Sequence, residues 1–267
     1  MKRKGIYKPT IEDIIELSGI EALHPGGMAL TQRTAELSDL KPGIKVLDVS
    51  SGRGTQSIFY AKEFGVEVTG IDLSEEMIKS ATQNAKIEGV ENLTSFKLGD
   101  SQDLPFENNT FDVVINECAV GIPDNSQKVL DEMVRVTKLN GVVVIHESTW
   151  RKKITDVVKD EISERYGTTP LEYDEWIGML KNAGVSEIIT EFDEWSRPEM
   201  FWKIRKDKDV DHYTKVLSRS ELAKTIERIT KDYGQDAVNI ALENQRKFWE
   251  VVLNGTLGYC LFKGIKK

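Results

Sequence analysis

The chain of 267 residues can bury a substantial core, and its 39% hydrophobic and 30% charged residues are typical of a globular protein in water. Its net charge of −8 argues against a protein that binds nucleic acid by neutralising phosphates. No apolar run is long enough to span a membrane, and the basic residues 1–4 are not followed by the apolar core of a signal peptide.

The two cysteines bear on location and on metal binding. Cys118 and Cys260 lie far apart in the chain and match no zinc or redox spacing. A reducing cytoplasm is therefore the expected location, and the sequence predicts no metal site.

Residues 1–40 are predicted to form a helical cap that precedes the main sheet. The first helix carries an apolar stripe formed by Ile11, Ile14, Ile15 and Leu17. The His-Pro-Gly-Gly segment at 24–27 breaks this helix, and a second helix follows through residues 30–37.

From Ile44 onward, strand-length apolar segments alternate with helical segments. Strands are predicted at 44–49, 66–71, 93–98, 112–116 and 142–147. Helices are predicted between them at 54–64, 74–87 and 126–137. Such alternation builds right-handed crossovers, so the expected fold is α/β, with a doubly wound, Rossmann-like parallel sheet covered by helices on both faces.

After Trp150 the alternation becomes less regular. Helices are predicted at 154–166 and 171–182, a strand at 185–192, a mostly helical stretch at 197–253 and a closing strand at 258–263. We interpret residues 1–267 as one domain, in which the 197–253 stretch is an insertion that acts as a lid or as a dimer surface.

The segment from Lys45 to Thr55 is the most informative part of the chain. An apolar strand runs into a turn with Gly52 and Gly54 and then into a helix, and Asp72 ends the next strand about 20 residues later. Glycines let the backbone approach a ligand, and an acid at that position accepts hydrogen bonds from ribose hydroxyls in dinucleotide folds. The pattern predicts a nucleotide-type ligand at the carboxyl edge of the sheet.

Several further segments accompany this turn, namely Leu47–Val49, Thr69–Ser74, Gly99–Ser101, Leu104–Phe106, Phe111–Val114, and Glu132–Val136 before Asn140–Gly141. Together they resemble class I S-adenosylmethionine-dependent methyltransferases of the branch that includes quinone C-methyltransferases and arsenite methyltransferases. The resemblance covers about residues 27–147 and the last two strands. It implies a seven-stranded sheet whose last strand is antiparallel, with the helical insertion before that strand.

The resemblance also implies which residues bind S-adenosylmethionine. Gly52 and Gly54 would hold its methionine part, and Asp48 would orient the turn. Where the family usually has Gly-Cys, this chain has Ser50-Ser51, so the turn is expected to be wider or to use a hydroxyl as a ligand contact. The remaining positions are Asp72 for the ribose, Leu73 and Met77 for the adenine face, Asp100 and Ser101 for the adenine edge, and Asn116 for the methionine end.

Four residues are predicted near the methyl acceptor. Glu117 and Glu147 each end a strand at the ligand-facing edge, so either is a candidate base or substrate anchor. Cys118 lies at the mouth of the expected site, and a packed cysteine is the alternative. His24 reaches this mouth if the N-terminal segment folds over it; otherwise it caps a helix end. His146 precedes Glu147 and is interpreted as a packing residue on the opposite face.

We therefore expect a cytoplasmic methyltransferase that acts on a small molecule by in-line displacement and releases S-adenosylhomocysteine. The enzyme would mainly align the reactants and exclude water. The alternatives are a cofactor-binding protein without transferase activity, a protein acceptor, or a metalloid acceptor bound by Cys118. The residues after the fourth strand, 116–119, match neither signature of nucleic-acid base methylation. A homodimer through the insertion stays open.

Overall fold

The computed structural model describes residues 24–197, Met200 and residues 219–267. The first predicted helix, at 11–17, lies outside these residues. The helices are α1 (Gly27–Leu37), α2 (Thr55–Phe64), α3 (Glu75–Ile87), α4 (Ser126–Val136), α5 (Asp156–Tyr166), α6 (Tyr173–Asn182), α7 (Arg219–Tyr233) and α8 (Gln235–Leu253). The strands are β1 (Lys45–Val49), β2 (Glu67–Asp72), β3 (Thr94–Leu98), β4 (Phe111–Glu117), β5 (Thr137–Trp150), β6 (Leu171–Glu172), β7 (Val185–Glu191) and β8 (Leu257–Lys266).

The strands form one eight-stranded sheet in the order β3-β2-β1-β4-β5-β8-β7, with β6 paired to the end of β5. The strand pairs β3–β2, β2–β1, β1–β4, β4–β5 and β5–β6 are parallel. The strand β8 runs antiparallel to both β5 and β7. The predicted Rossmann-like sheet with an antiparallel last strand is confirmed. The additional strand is β6, which has two residues and was not predicted from the sequence.

Alternate residues of the central strands supply two separate core layers. Val46, Val113 and Val144 pack on one face together with residues of α1 and α2. Leu47, Val114 and Val143 pack on the other face with residues of α4 and α6. Because both faces are covered, the strands read as continuous apolar runs, and their carboxyl ends are left as the edge where polar groups can gather.

Two element boundaries differ from the predicted ones for local reasons. β5 begins at Thr137 rather than at 142, and Asn140 adopts a left-handed φ of 61° where the pairing with β4 is irregular. The Asn140-Gly141 pair is therefore an irregularity inside the strand. α6 begins at Tyr173 rather than at 171, because Glu172 and Glu175 form a capping box at its start.

The described part of the 197–253 stretch consists of α7 and α8. α8 contacts α5 and β8, and its Val252 packs in the layer that holds Trp150 at the carboxyl end of β5. Among the described residues, no helix combines the length and the apolarity that crossing a membrane requires.

Candidate functional site

The loop between β1 and α2 bends through left-handed backbone conformations. The φ angles are 62° at Ser50, 52° at Gly52 and 78° at Gly54. A Cβ at Gly54 would lie 2.8 Å from Phe96 Cζ and 2.9 Å from Ala81 Cβ, so this position requires glycine. Ser50 adopts the same backbone region despite its Cβ, at a cost of roughly 1–2 kcal/mol. The backbone of the loop therefore adopts, at Ser50, a conformation that glycine usually adopts.

Asp72, at the end of β2, holds this loop in place. Its Oδ2 accepts the N–H of Gly52 at 2.9 Å, and its Oδ1 accepts the N–H of Ser74 at 2.9 Å. A carboxylate offers about four lone-pair sites. Each oxygen of Asp72 therefore keeps capacity for a further donor, such as a ligand hydroxyl.

Asp48 and Asn116 brace the loop from within the sheet. Asp48 is 2% exposed and accepts a hydrogen bond from Ser57 Oγ at 2.5 Å. Burial raises the pKa of Asp48 to about 7, against the lowering effect of the Ser57 hydroxyl. The Asn116 side chain donates to the carbonyl oxygen of Val49 at 3.1 Å and accepts the N–H of Ala119 at 2.8 Å. Asn116 thereby ties the end of β4 to the end of β1.

A cavity of about 420 Å³ opens beside this loop at the carboxyl edge of the sheet. We call it the edge cavity. Its lining residues come from the ends of β1 and β2 and from the loops after β3 and β4: Ser50, Ile71, Asp72, Leu73, Gly99, Asp100, Ser101, Gln102, Ala119, Ile122, Pro123 and Asp124. Leu73 is 75% exposed and Ile122 46% exposed, so the cavity carries apolar surface that a flat ligand would cover.

The predicted cofactor residues fall into three groups around the edge cavity. Those that line it are Ser50, Asp72, Leu73, Asp100 and Ser101. Gly52 and Gly54 form the adjoining loop, and Asp48 and Asn116 brace it. Met77 lies in the first turn of α3, where its N–H donates to the capping hydroxyl of Ser74 at 3.3 Å, and it is absent from the lining. Ser51 Oγ is buried without a hydrogen-bond partner.

Next to the edge cavity, Glu117 gathers buried polar groups from three elements. His24 Nε2 lies 2.8 Å from Glu117 Oε2, and His146 Nε2 lies 3.4 Å from the same oxygen. Thr31 Oγ1 donates to Oε2 at 2.8 Å, and the Tyr60 hydroxyl donates to Oε1. We call His24, Glu117 and His146 the His–Glu cluster.

The His–Glu cluster is held away from solvent, and its charges are coupled. Burial raises the pKa of Glu117, but the His146 and His24 rings outweigh burial and hold this pKa well below its usual range. Burial lowers the pKa of His146, against the attraction of Glu117. The two directions compete, since His146 lowers the Glu117 pKa only when it is charged. We take Glu117 as ionised, because the Tyr60 and Thr31 hydroxyls also donate to it.

Cys118 and Glu147 have different surroundings. Cys118 is half-buried, has a left-handed φ of 69°, and donates its N–H to the His146 carbonyl oxygen at 2.9 Å. Glu147 is 1% exposed, and its Oε1 accepts the N–H groups of Val120 at 2.6 Å and Gly121 at 3.3 Å. Burial raises the pKa of Glu147 to about 7 despite these bonds. Glu147 thus shapes the loop after β4 and lies apart from the His–Glu cluster.

The sequence interpretation brought His24 and Glu117 to one place but left His146 out. Glu117 and His146 are direct partners in the parallel pairing of β4 and β5, so their side chains share a face of the sheet. Glu147, one residue later, points to the other face. Alternation within β5 separates His146 from Glu147, but the pairing register that places His146 beside Glu117 is set by tertiary packing.

The comparison with protein families gives one match over the sheet domain. The sequence model described as "Methyltransferase domain" matches residues 40–195, which is more than half of the chain. The match ends before α7 and α8.

One relative supports the same family, and one solved structure shares the fold. Methyltransferase GfsG of Streptomyces halstedii is 30% identical over 188 residues, which cover 68% of this chain and 67% of that protein. The crystal structure of the 4+2 cyclase SpnF has a TM-score of 0.76 at 20% identity, covering 98% of this chain and 99% of that one.

A third similar protein was crystallised with a cofactor product. Phosphoethanolamine N-methyltransferase 2 of Haemonchus contortus, in complex with phosphomonomethylethanolamine and S-adenosylhomocysteine, has a TM-score of 0.71 at 20% identity. It covers 97% of this chain, whereas this chain covers 58% of that protein. At these identities the two solved structures show the fold alone.

Proposed function

Because the chain belongs to the S-adenosylmethionine-dependent methyltransferases of the family described as "Methyltransferase domain", we propose that it methylates a small-molecule acceptor by in-line displacement. The observation that carries this proposal is the edge cavity. It combines the Asp72 carboxylate, the apolar Leu73 and Ile122, and the loop after β4 in one space of about 420 Å³. That volume lies within the range of small-ligand sites.

The residues of the edge cavity fit the cofactor. Asp72 keeps free lone pairs on both oxygens, so it accepts ribose hydroxyls without releasing Gly52 or Ser74. Leu73 and Ile122 supply apolar surface for an adenine, and Asp100 with Ser101 lies at its edge. Gly52, where an added Cβ would meet nothing within 4 Å, leaves the backbone open to the methionine part.

The acceptor is proposed to lie between the edge cavity and Cys118. When bound, S-adenosylmethionine supplies a methyl group on a sulfonium that is already activated. The protein then contributes alignment and exclusion of water. The loop after β4 is fixed for this purpose by Asn116 and Glu147. Glu117 and His24, predicted near the acceptor, are proposed to contact each other beneath this site and to stabilise its base.

The acidic net charge and the two free cysteines, Cys118 and Cys260, support a small-molecule acceptor and a reducing compartment such as the cytoplasm. A metalloid acceptor is disfavoured. Cys260 packs in the core layer of one face of the sheet, whereas Cys118 packs against the layer of the other face. The two thiols therefore do not converge on one ion.

We also propose that α1 and the helices of the 197–253 stretch enclose the acceptor. The support is that His24, just before α1, contacts Glu117, and that α8 packs near the carboxyl end of β5. A dimer surface is the alternative role of this stretch. A sizing measurement that shows a monomer with full activity would favour the lid.

The proposed function is tested by an Asp72→Asn variant. Loss of a charge-assisted hydrogen bond costs about 1.5–3 kcal/mol, so calorimetry should show S-adenosylmethionine binding weakened by roughly 10- to 100-fold. Asp131→Asn, at an exposed carboxylate of α4, is the matched control. The acceptor is then sought by S-adenosylhomocysteine release across amines, phenols, thiols, quinones and metalloids. Unchanged affinity in Asp72→Asn would sink the cofactor assignment.

A second candidate function is an S-adenosylmethionine-binding protein that does not transfer the methyl group. The observation that favours it is the Ser50-Ser51 pair in the cofactor loop, where Ser50 adopts a left-handed φ of 62° and Ser51 Oγ is buried without a hydrogen-bond partner. The same screen separates the two functions. Binding in calorimetry with no S-adenosylhomocysteine release from any acceptor class would favour this second function.

A further inference from the structure

We propose that the His–Glu cluster binds a divalent transition-metal ion through His24 Nε2, Glu117 Oε2 and His146 Nε2. The three side chains come from the segment before α1 and from the ends of β4 and β5, and their candidate ligand atoms all lie within 4.8 Å of one another. Two imidazoles and one carboxylate form a ligand set used for Zn²⁺ and for Fe²⁺. The sequence alone predicted no metal site.

The hydrogen bonds of His24 direct its Nε2 toward Glu117. His24 Nδ1 lies 3.0 Å from the carbonyl oxygen of Pro25, which can only accept. In a neutral ring the proton therefore lies on Nδ1, and Nε2 presents a lone pair that a metal ion could use. This lone pair faces Glu117 Oε2, another acceptor, at 2.8 Å.

His146 has the same arrangement. The Tyr259 hydroxyl lies 3.1 Å from the His146 carbonyl oxygen and 2.8 Å from His146 Nδ1, and when it donates to the carbonyl its oxygen accepts from Nδ1. Nε2 is left bare, and it is a buried atom with no hydrogen-bond partner in a side chain that is 0% exposed. It is aimed at Glu117 Oε2 from 3.4 Å. A bonded Nδ1 and a bare Nε2 are what metal-binding histidines show.

When both rings are neutral with their protons on Nδ1, three acceptor atoms converge in a buried space. The Thr31 hydroxyl has one proton and uses it on Glu117 Oε2, so it does not serve the His24 nitrogen 3.3 Å away. Lone pairs that face each other without a donor repel, and a buried carboxylate requires a compensating cation. Either an extra proton or a metal ion must lie among them.

The spacing and the surroundings suit a metal ion. Four-coordinate Zn²⁺ has bonds of about 2.0–2.1 Å, which separate its ligand atoms by about 3.4 Å. The His146 separation of 3.4 Å equals this value, the His24 separation of 2.8 Å is shorter, and the two histidine nitrogens lie within 4.8 Å of each other, so small shifts of the rings would bring all three atoms onto one ion. The outer contacts are also in place, with Tyr60 on Glu117 Oε1 and Tyr259 and Pro25 on the histidine Nδ1 atoms. A fourth position is left for solvent or for a further ligand.

The test is Zn²⁺ binding by the full-length protein after treatment with a chelator, followed by calorimetry and by metal analysis after desalting. We expect one Zn²⁺ per chain. Glu117→Gln and His146→Gln should weaken binding by more than the roughly 10- to 100-fold that loss of an outer contact costs. Tyr259→Phe, which removes only the outer partner of His146, should weaken it within that range. Thermal unfolding of each variant shows whether it is folded.

Two controls separate this site from its neighbours. Glu147→Gln lies one residue away on the opposite face of β5, and Cys118→Ser removes the nearest thiol of the site mouth. Both should keep wild-type Zn²⁺ affinity. Absence of stoichiometric Zn²⁺ in the wild type, or wild-type affinity in folded Glu117→Gln, would overturn the proposal and assign the cluster to a shared proton. Because the readout is metal content, its outcome is independent of S-adenosylmethionine binding and of methyl transfer.

Discussion

Replacing Glu147 with glutamine should make the stability of the protein less dependent on pH. The Glu147 side chain is 1% exposed, and backbone N–H groups of Val120, Gly121 and Ser148 hydrogen-bond to it. A glutamine carbonyl accepts the same N–H groups, so the substitution keeps the hydrogen bonds of Val120 and Gly121. It removes the group that ionises.

The magnitude follows from the pKa of Glu147 in the two states. Burial raises this pKa to about 7 from the ordinary value of 4.5. Between these two pH values the unfolded chain has released the proton while the folded protein still holds it, so raising the pH favours unfolding. Since one pKa unit corresponds to about 1.4 kcal/mol, the wild type should lose about 3 kcal/mol across this window. Below the window no such loss exists.

The assay is urea unfolding followed by circular dichroism at several pH values from about 4.5 to about 8. The free energy of unfolding of Glu147→Gln minus that of the wild type should rise by about 3 kcal/mol with pH and then level off. Using this difference cancels other groups that titrate, including Asp48. Glu91→Gln, at an exposed glutamate, is the matched control. If the difference in unfolding free energy between Glu147→Gln and the wild type stays constant with pH, the interpretation of Glu147 as a buried carboxyl with a raised pKa is refuted.

The remaining predictions concern the loop between β1 and α2 and use stability as the readout. Gly54→Ala should destabilise the protein by about 2–5 kcal/mol, because the new Cβ meets Phe96 and Ala81 and φ is 78°. The control is Gly89→Ala, where φ is 71° and nothing lies within 4 Å, so the cost should be only about 1–2 kcal/mol. Equal losses in the two variants would contradict the steric reason. Ser50→Gly should stabilise the ligand-free protein by roughly 0.5–1 kcal/mol in urea unfolding, because relief of the left-handed conformation exceeds the entropy gained by the unfolded chain. Ser50→Ala keeps the Cβ and should show no gain, so a similar gain in both variants would count against backbone strain.

The sheet was predictable from the sequence because its signals are local. Apolar runs of strand length, glycine at helix ends and the serine at 74 each act within a few residues. The predicted strands fall within about two residues of their observed bounds except at β5 and at the end of β8. The strand β6 was missed because its two residues, Leu171 and Glu172, are too few to show the alternation of apolar and polar residues that predicts a strand. They become a strand only where the end of β5 offers a partner.

The site was predictable only in part, because its two halves depend on different information. The lining of the edge cavity was predictable because its residues, such as Asp72 and Asp100, lie at or just after the ends of predicted strands. The His–Glu cluster depends on the pairing register of β4 with β5 and on where His24 lies after the chain folds back. Register is set by tertiary packing, so a reading along the chain assigned His146 to packing.

Backbone strain gives an independent reason to place the chemistry between β1 and β4. Among the described residues, positive φ outside glycine occurs at Asp39, Ser50, Asn109, Cys118, Asn140 and Glu187. Asp and Asn tolerate this region in turns. Glu187 lies in β7 where its pairing with β8 shifts register. Ser50 and Cys118 instead follow the last residues of central strands, and Ser50 and Ala119, next to Cys118, line the edge cavity. Strain of about 1–3 kcal/mol at each persists only where surrounding contacts enforce it. Asn116, which bonds the Val49 carbonyl and the Ala119 N–H, supplies such contacts on both sides.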